Sequence, residues 1–259
     1  MFRQRQRPTN GPTVPRGYRA YAVGDVHGRL DLLDQLLLLI EQDVELDPAR
    51  KSLLIFLGDL VDRGPDSQAV VDRLRTYRHS RLQPYFLTGN HEEVLLRLLA
   101  GERGILDSWL KYGGGECLRS YGMDPASLSG LGERAALECI GKAIPVSHSR
   151  FIGSFADTLT LGDYLFVHAG IRPGIDLSLQ SQADLRWIRS PFLECEDDHG
   201  MIVIHGHTIS EGVDDRGNRI GLDTGAYRSH VLTAMALEDD RRWIIDTAVA
   251  GPKQAAGMP

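Results

Sequence analysis

Long apolar runs are missing from this chain. The nearest candidate, Leu32 to Ile40, is short and broken by Asp34 and Gln35, so it cannot cross a bilayer. Cysteine is scarce. Cys117, Cys139 and Cys195 are odd in number and scattered, which excludes a disulfide framework and suits a reducing cytoplasm. None is followed six residues on by an arginine. The phosphate-cradling loop of a cysteine-dependent phosphatase is therefore absent, and the three thiols read as packing residues. Excess positive charge is also lacking: a net charge of -6 argues against a general nucleic-acid binder. Met1 to Gly17 is Arg-rich but has no apolar core of a secretory signal. It reads as a disordered basic tail, and Ala250 to Pro259 reads as a flexible C-terminal one. A cytoplasmic location, without membrane or nucleic-acid partners, is the expectation. No internal repeat is present.

What remains is ordinary for a globular protein, with 42% hydrophobic and 25% charged residues. A length of 259 residues suits one large α/β domain, taken here as residues 18–249. Apolar runs at Tyr18–Val23, Ser52–Leu57 and Gln83–Thr88 read as strands. Helical patterns follow them at about Arg29–Gln42, Asp66–Tyr77 and Glu92–Ala100. The repeat of strand, loop and helix predicts parallel strands with crossover helices. Residues 101–154 break the rhythm with Trp109, a Gly113-Gly114-Gly115 run and helix-like segments, which predicts a small helical cap inserted over the site. Later segments at Thr158–Leu161, Asp163–Val167, Met201–Ile204, Arg219–Leu222, Val231–Leu237 and Trp243–Thr247 are short and turn-linked. They predict a second sheet of largely antiparallel character. The fold class is α/β: two packed mixed sheets flanked by helices.

The most informative stretch is Leu57-Gly58-Asp59-Leu60-Val61-Asp62-Arg63-Gly64, which starts where the second strand ends. Loops at strand ends are where α/β folds place ligands. Alone, the string is a moderately specific signal, its plainer reading being a polar turn with an Asp cap before the helix from about Asp66. Three other places remove that reading: Gly24-Asp25-Val26-His27-Gly28, Gly89-Asn90-His91-Glu92, and His168 with Gly206-His207-Thr208. Asp25 and His27 alternate, so in extended chain they point the same way and form half of a divalent-ion site. Asp59 can bridge two ions with its two oxygens. Asn90 offers an amide oxygen, and His168 and His207 offer imidazole nitrogens. Oxygen and nitrogen ligands without thiolate suit Mn²⁺, Fe or Zn²⁺ in a two-metal site.

Taken in order, GDVHG, GDLVDRG, GNHEE, HAG and HGHT resemble the motifs of the calcineurin-like metallophosphoesterases. The DRG and NHE elements resemble the phosphoprotein phosphatase branch, including its bacterial and bacteriophage members. Leu185-Arg186-Trp187-Ile188-Arg189 is similar to the segment carrying that branch's second phosphate-binding arginine. The similarity runs from about Ala20 to Thr247. It implies that Asp25 and His27 hold a first ion, that Asp59 bridges, and that Asn90, His168 and His207 hold a second. It further implies His91, oriented by Asp62, as the general acid, and Arg63 and Arg189 as the phosphate clamp. Broader superfamily members carry one more histidine where Ile209 stands here, as the narrower branch also lacks it.

The implied chemistry is one-step hydrolysis of a phosphomonoester by a hydroxide activated between two cations, Mn²⁺ being expected. The implied substrate is phosphoserine or phosphothreonine in a protein, with dual specificity open. A symmetrical dinucleoside tetraphosphate hydrolase shares the same motifs and is the alternative, with Trp109, Tyr112 and Trp187 as candidate base platforms. Two further stretches read as decoys. A single Asp223-Thr224-Gly225 cannot make the paired loops of an aspartic protease and reads as a strand-end turn. Asp197-Asp198-His199 reads as a solvated loop.

Overall fold

The computed structural model describes residues 11–46 and 50–248. Tyr18–Val23 (β1), Lys51–Phe56 (β2) and Leu82–Phe86 (β3) lie parallel. Each is followed by a helix: Leu30–Glu45 (α1), Ser67–Arg75 (α2) and Asn90–Leu99 (α3). Helix α1 has no internal Gly or Pro, and it buries Leu32, Leu33, Leu36, Leu37, Ile40 and Val44 on one face. That is the three-to-four-residue spacing of an amphipathic helix, worth about 1.5–3 kcal/mol per buried side chain. Side chains of the strands alternate as the pleat requires. Tyr21, Val23, Leu54 and Phe56 face the helices, whereas Ala20, Ala22, Leu53 and Ile55 face the other sheet.

The insertion forms Leu106–Trp109 (α4), Gly115–Ser120 (α5), Glu133–Ala143 (α6) and Val146–Ile152 (α7). These helices pack against α2 and α3. They therefore thicken the helical layer, and the part that reaches toward the Asp59 loop is the segment 109–114.

The second sheet runs Thr158–Leu161 (β4), Tyr164–Val167 (β5), Ile202–His205 (β6), Arg219–Gly221 (β8) and Asp214–Asp215 (β7) across its width. Its centre is parallel, β5 with β6 and β6 with β8, and only its edges are antiparallel. The expectation of a largely antiparallel sheet is thus corrected. The chain between β5 and β6 is long and carries the helix Gln182–Trp187 (α8), which is a crossover and not a hairpin.

A second correction concerns the C-terminal strands. Thr233–Glu238 (β9) and Arg241–Asp246 (β10) join the first sheet, giving the order β10-β9-β1-β2-β3. β9 lies antiparallel to β1, and the buried Glu238 pairs with Arg19 across that seam. Between the sheets lies an apolar core that includes Ala22, Ile55, Tyr164, Phe166, Ile204 and Met235.

Part of the stretch expected as an N-terminal tail, residues 11–17, lies within the described residues. Residues 1–10 and 249–259 lie outside the described residues, but Thr13 and Val14 are docked. Val14 is buried in the inter-sheet core and donates its N–H to Asp239. Thr13 donates its N–H and hydroxyl to Asp163. This short stretch thereby ties the β9–β10 turn to the β4–β5 turn. Among the described residues no helix is long and apolar enough to cross a membrane.

Candidate metal centre and active site

Strands β1, β2, β3, β5, β6 and β8 end close together. The residues just beyond them are Asp25, Asp59, Asn90, His168, His207 and Asp223. Backbone bonds knit the loops: His27 N–H donates to the Asp59 carbonyl (2.8 Å), Gly28 to Leu60 (2.8 Å) and Gly206 to His168 (2.8 Å). Gly58 and Gly89 touch here, and a Cβ on Gly58 would stand 2.6 Å from the Gly89 nitrogen. Gly58 has φ 107°, a conformation that other residues rarely adopt.

Asp59 is at the centre. Its Oδ2 faces His27 Nε2 at 3.5 Å, and its Oδ1 faces His168 Nε2 at 3.5 Å. Oδ1 also accepts the His91 N–H at 3.0 Å. The buried Glu92 fixes the loop from behind, accepting the N–H groups of Asp59 (2.7 Å), Leu60 (2.7 Å) and Gly89 (2.9 Å).

The ring nitrogens identify their own states. His27 Nδ1 lies 2.8 Å from the Val61 carbonyl, and His168 Nδ1 lies 2.9 Å from the Leu57 carbonyl. A carbonyl only accepts, so each Nδ1 carries the proton and each Nε2 presents a lone pair. His27 Nε2 is buried without a hydrogen-bond partner. The lone pair of His168 Nε2 meets oxygens: Asn90 Oδ1 at 3.0 Å and Asp59. His207 brings Nδ1 within 2.9 Å of the same Asn90 atom, and its Nε2 has no partner. Lone pairs aimed at oxygens repel unless a cation or proton lies between. The donor set therefore fits divalent ions. Donor atoms of His27, Asp59 and His91 lie within 4.8 Å of one another, as do those of Asp59, His168 and His207. Asp59 is common to both groups.

Burial pushes the pKa of His27 and His168 below the ordinary imidazole value, and that of His207 down to about 3. All three are neutral imidazoles at neutral pH, each able to offer a lone pair. Asp25 accepts the His207 N–H at 3.1 Å. Burial, with Asp223 and Asp59 beside it, drives its carboxyl well above the usual range. Asp223, raised to about 6 by burial first, has one oxygen on the Gly225 N–H and the other unpartnered. Three carboxylates thus crowd one buried space, an arrangement that calls for positive charge. The strand-end turn expected at Asp223-Thr224-Gly225 is there, but its aspartate also faces the centre.

His91 stands beside this cluster. Its Nδ1 donates to Asp62 Oδ2 at 2.7 Å. Burial opposes charge on the ring, but Asp59 and Asp62 outweigh it, and the pKa is raised. Its Nε2 lies 3.2 Å from Arg63 Nη2. The Arg63 guanidinium rests 4.9 Å over the Tyr227 ring, and its backbone N–H donates to Gly113. Arg189 is exposed at the rim, close enough that its charge lowers His168 and His207.

The family model for calcineurin-like phosphoesterases matches residues 18–239. The chain belongs to the calcineurin-like phosphoesterase family. Among curated proteins, a symmetrical bis(5'-nucleosyl)-tetraphosphatase of Legionella pneumophila is 46% identical over 81 residues, 31% of this chain and 26% of that protein. Serine/threonine-protein phosphatase 1 of Salmonella typhimurium is 35% identical over 94 residues, 36% of this chain and 38% of that one. These matches span well under half of either relative. The crystal structure of a protein proposed to be a diadenosine tetraphosphatase covers 92% of this chain and 97% of its own, with TM-score 0.63 and 21% identity, a likeness of fold.

This calcineurin-like phosphoesterase holds site residues that the motifs did not assign. Glu92 was visible only as the fourth letter of Gly89-Asn90-His91-Glu92, and Asp223 only as a strand-end aspartate. Tyr227 gave no signal. Trp109 is a correction: it is 3% exposed, so it is not a platform for a base. Its indole N–H donates to Asp62 Oδ2 at 3.0 Å. Tyr112 and Trp187 are exposed, and both adjoin residues that touch the site. A separate concavity of about 820 Å³, lined by Tyr18, Lys51, Arg78 and Tyr85 among others, opens at the opposite end of the strands. It lacks converging carboxylates, so chemistry and not volume locates the active site.

Proposed function

We propose that this chain is a metal-dependent phosphomonoester hydrolase, acting as a serine/threonine protein phosphatase. The observation that supports the hydrolase reading is Asp59 set between His27 and His91 on one side and His168 and His207 on the other, with His91 also bonded to Asp62. Asp25, His27 and Asp59 would hold one divalent ion, and Asp59, Asn90, His168 and His207 the other, Mn²⁺ being the proposed metal. Bound cations supply an ionised water near neutral pH and neutralise phosphoryl charge.

The chain's own residues do the rest. Arg63 and Arg189 bind the phosphoryl oxygens as paired guanidiniums, the geometry suited to phosphate. For that, Arg63 leaves its resting contact with His91 Nε2 and frees this nitrogen for the leaving oxygen. Protonated His91, held by Asp62, then donates its proton to that oxygen, a contribution of about 10²–10⁴-fold.

A second reading, cleavage of symmetrical dinucleoside tetraphosphates, is favoured by the 46% identity to the Legionella protein. Exposed Tyr112 and Trp187 could stack a base. One experiment separates the readings: metal-stripped protein is reloaded with Mn²⁺, Fe²⁺ or Zn²⁺ and assayed on phosphoserine, phosphothreonine and phosphotyrosine peptides beside diadenosine tetraphosphate. Phosphopeptide turnover at least tenfold higher in kcat/KM supports the phosphatase. The reverse order assigns the nucleotide substrate, and metal-independent or absent turnover on both refutes the hydrolase.

A further inference from the structure

The helical insertion makes two contacts with adjacent residues of the Asp62-Arg63 turn. The Gly113 carbonyl accepts the Arg63 N–H at 3.1 Å. The Trp109 indole N–H donates to Asp62 Oδ2 at 3.0 Å, the same oxygen that accepts His91 Nδ1–H at 2.7 Å. Asp62 is fully buried, where a carboxylate with too few donors is costly. Trp109 itself is locked. Its ring lies against Gly114 so closely that a Cβ there would collide with it. A buried indole needs an acceptor for its N–H, and here that acceptor is the carboxylate that orients the proposed general acid.

We propose that Trp109 is a positioning residue for leaving-group protonation, pinning Asp62 so that Asp62 holds His91 in line with the departing oxygen. This rests on the reading of His91 as general acid. The insertion then belongs to the catalytic machinery through one hydrogen bond, although Trp109 touches no substrate. Both donors meet Oδ2 while Oδ1 has no hydrogen-bond partner among the described residues, so without the indole His91 is the one nitrogen donor left on that oxygen. The loss should fall on the proton transfer and spare phosphate binding.

The test is Trp109→Phe, which keeps an aromatic ring and removes the N–H together with part of the indole, so an analogue of equal size separates lost packing from the lost donor. It is read on an alkyl phosphate, whose leaving oxygen must be protonated, and on p-nitrophenyl phosphate, whose leaving oxygen hardly needs a proton. The expected result is a loss of about 10- to 100-fold in kcat on the alkyl ester, the worth of one bond to a charged group. On p-nitrophenyl phosphate the loss should stay below about threefold, and KM should be unchanged on both. Should Trp109→Phe fail to fold, the benzothienyl analogue of tryptophan at position 109 removes the donor at equal size and must give the same pattern. His91→Asn is measured in parallel. If it loses rate selectively on the alkyl ester and the Trp109 variants lose equally on both esters or not at all, the positioning role is refuted and the general acid stands. If His91→Asn loses equally on both, the general-acid reading fails and takes this inference with it.

Discussion

Glu92→Gln tests whether the site is built before any ion arrives. Glu92 is fully buried and meets three backbone N–H groups from two loops at hydrogen-bond distance, with Val61 further off at 3.4 Å. Oε2 serves Asp59 and Gly89, and Oε1 serves Leu60. Glutamine has nearly the same shape but must turn an NH₂ toward one of these sides. Pointing it at Leu60 loses that bond and the longer one from Val61, and leaves a buried N–H facing a donor. Burial, with Asp59 beside it, raises the Glu92 pKa to about 7, so above that pH the remaining bonds also weaken through loss of the charged acceptor. The sum is about 2–4 kcal/mol of stability, a large part of the about 5–15 kcal/mol typical of a domain.

The consequence for function follows from what Glu92 holds. Asp59 and Asn90 belong to the two loops it joins, so loosening them should weaken ion binding before it unfolds the protein. Urea unfolding of chelated protein should show the stability loss. Calorimetric Mn²⁺ titration should show affinity reduced by about tenfold or more, as for loss of a ligand-supporting partner. The half-buried neighbour Glu93, bonded to Arg97, Arg186 and Trp187, is the control, and Glu93→Gln should cost under about 1 kcal/mol. An unchanged unfolding midpoint together with unchanged Mn²⁺ affinity in Glu92→Gln would refute the reasoning.

Asp59→Asn should fold normally yet lose metal-dependent turnover and bind fewer Mn²⁺ per chain; full activity in this variant would remove Asp59 as the shared ligand. Arg189→Ala should raise KM about tenfold or more with kcat little changed, as expected of an exposed guanidinium proposed to bind phosphate apart from the proton transfer; an unchanged KM counts against the clamp. His205 is buried against Phe192, and burial lowers its pKa to about 4. It stays neutral when folded but gains a proton below about pH 6.5 when unfolded. Its contribution is therefore complete above that pH and is lost as pH falls toward 4. Between pH 7.5 and 5 the parent should lose about 2 kcal/mol relative to His205→Gln in urea titrations of chelated protein, and a difference independent of pH would overturn the assignment.

The motif residues were legible because each stands where an apolar run stops, and strand ends are local features. Asp25, Asp59, Asn90, His168 and His207 all follow that rule. Pairing between distant strands is not local. Val231–Leu237 and Trp243–Thr247 read correctly as strands, but nothing in their composition assigns them to the first sheet. Their placement depends on β9 meeting β1, with Glu238 finding Arg19 across more than two hundred intervening residues. Trp109 misled for the same reason. A tryptophan near a glycine run suits an exposed platform as well as a buried anchor, and only the approach of Gly114 and Asp62 decides between them.

Backbone strain was invisible in the sequence, yet it describes the site well. His27, Asp59, Asp62, Arg63 and His207 all have φ between 44° and 70°. The left-handed region costs a non-glycine residue about 1–2 kcal/mol each, so the five together store about 5–10 kcal/mol. No side chain among them advertises this, since aspartate, histidine and arginine are common in ordinary loops. The compensation is specific. His27 donates its N–H to the Asp59 carbonyl, Asp59 to Glu92, Asp62 to Ser67, Arg63 to Gly113 and His207 to Asp25. Each strained residue is held by an acceptor from elsewhere in the fold, with Glu92 and Ser67 standing in the first turns of α3 and α2. These side chains are thereby held around Asp59 by hydrogen bonds within the chain. Such a site spends little reorganisation when charge develops at the reacting phosphate, which is the condition under which fixed dipoles accelerate a reaction.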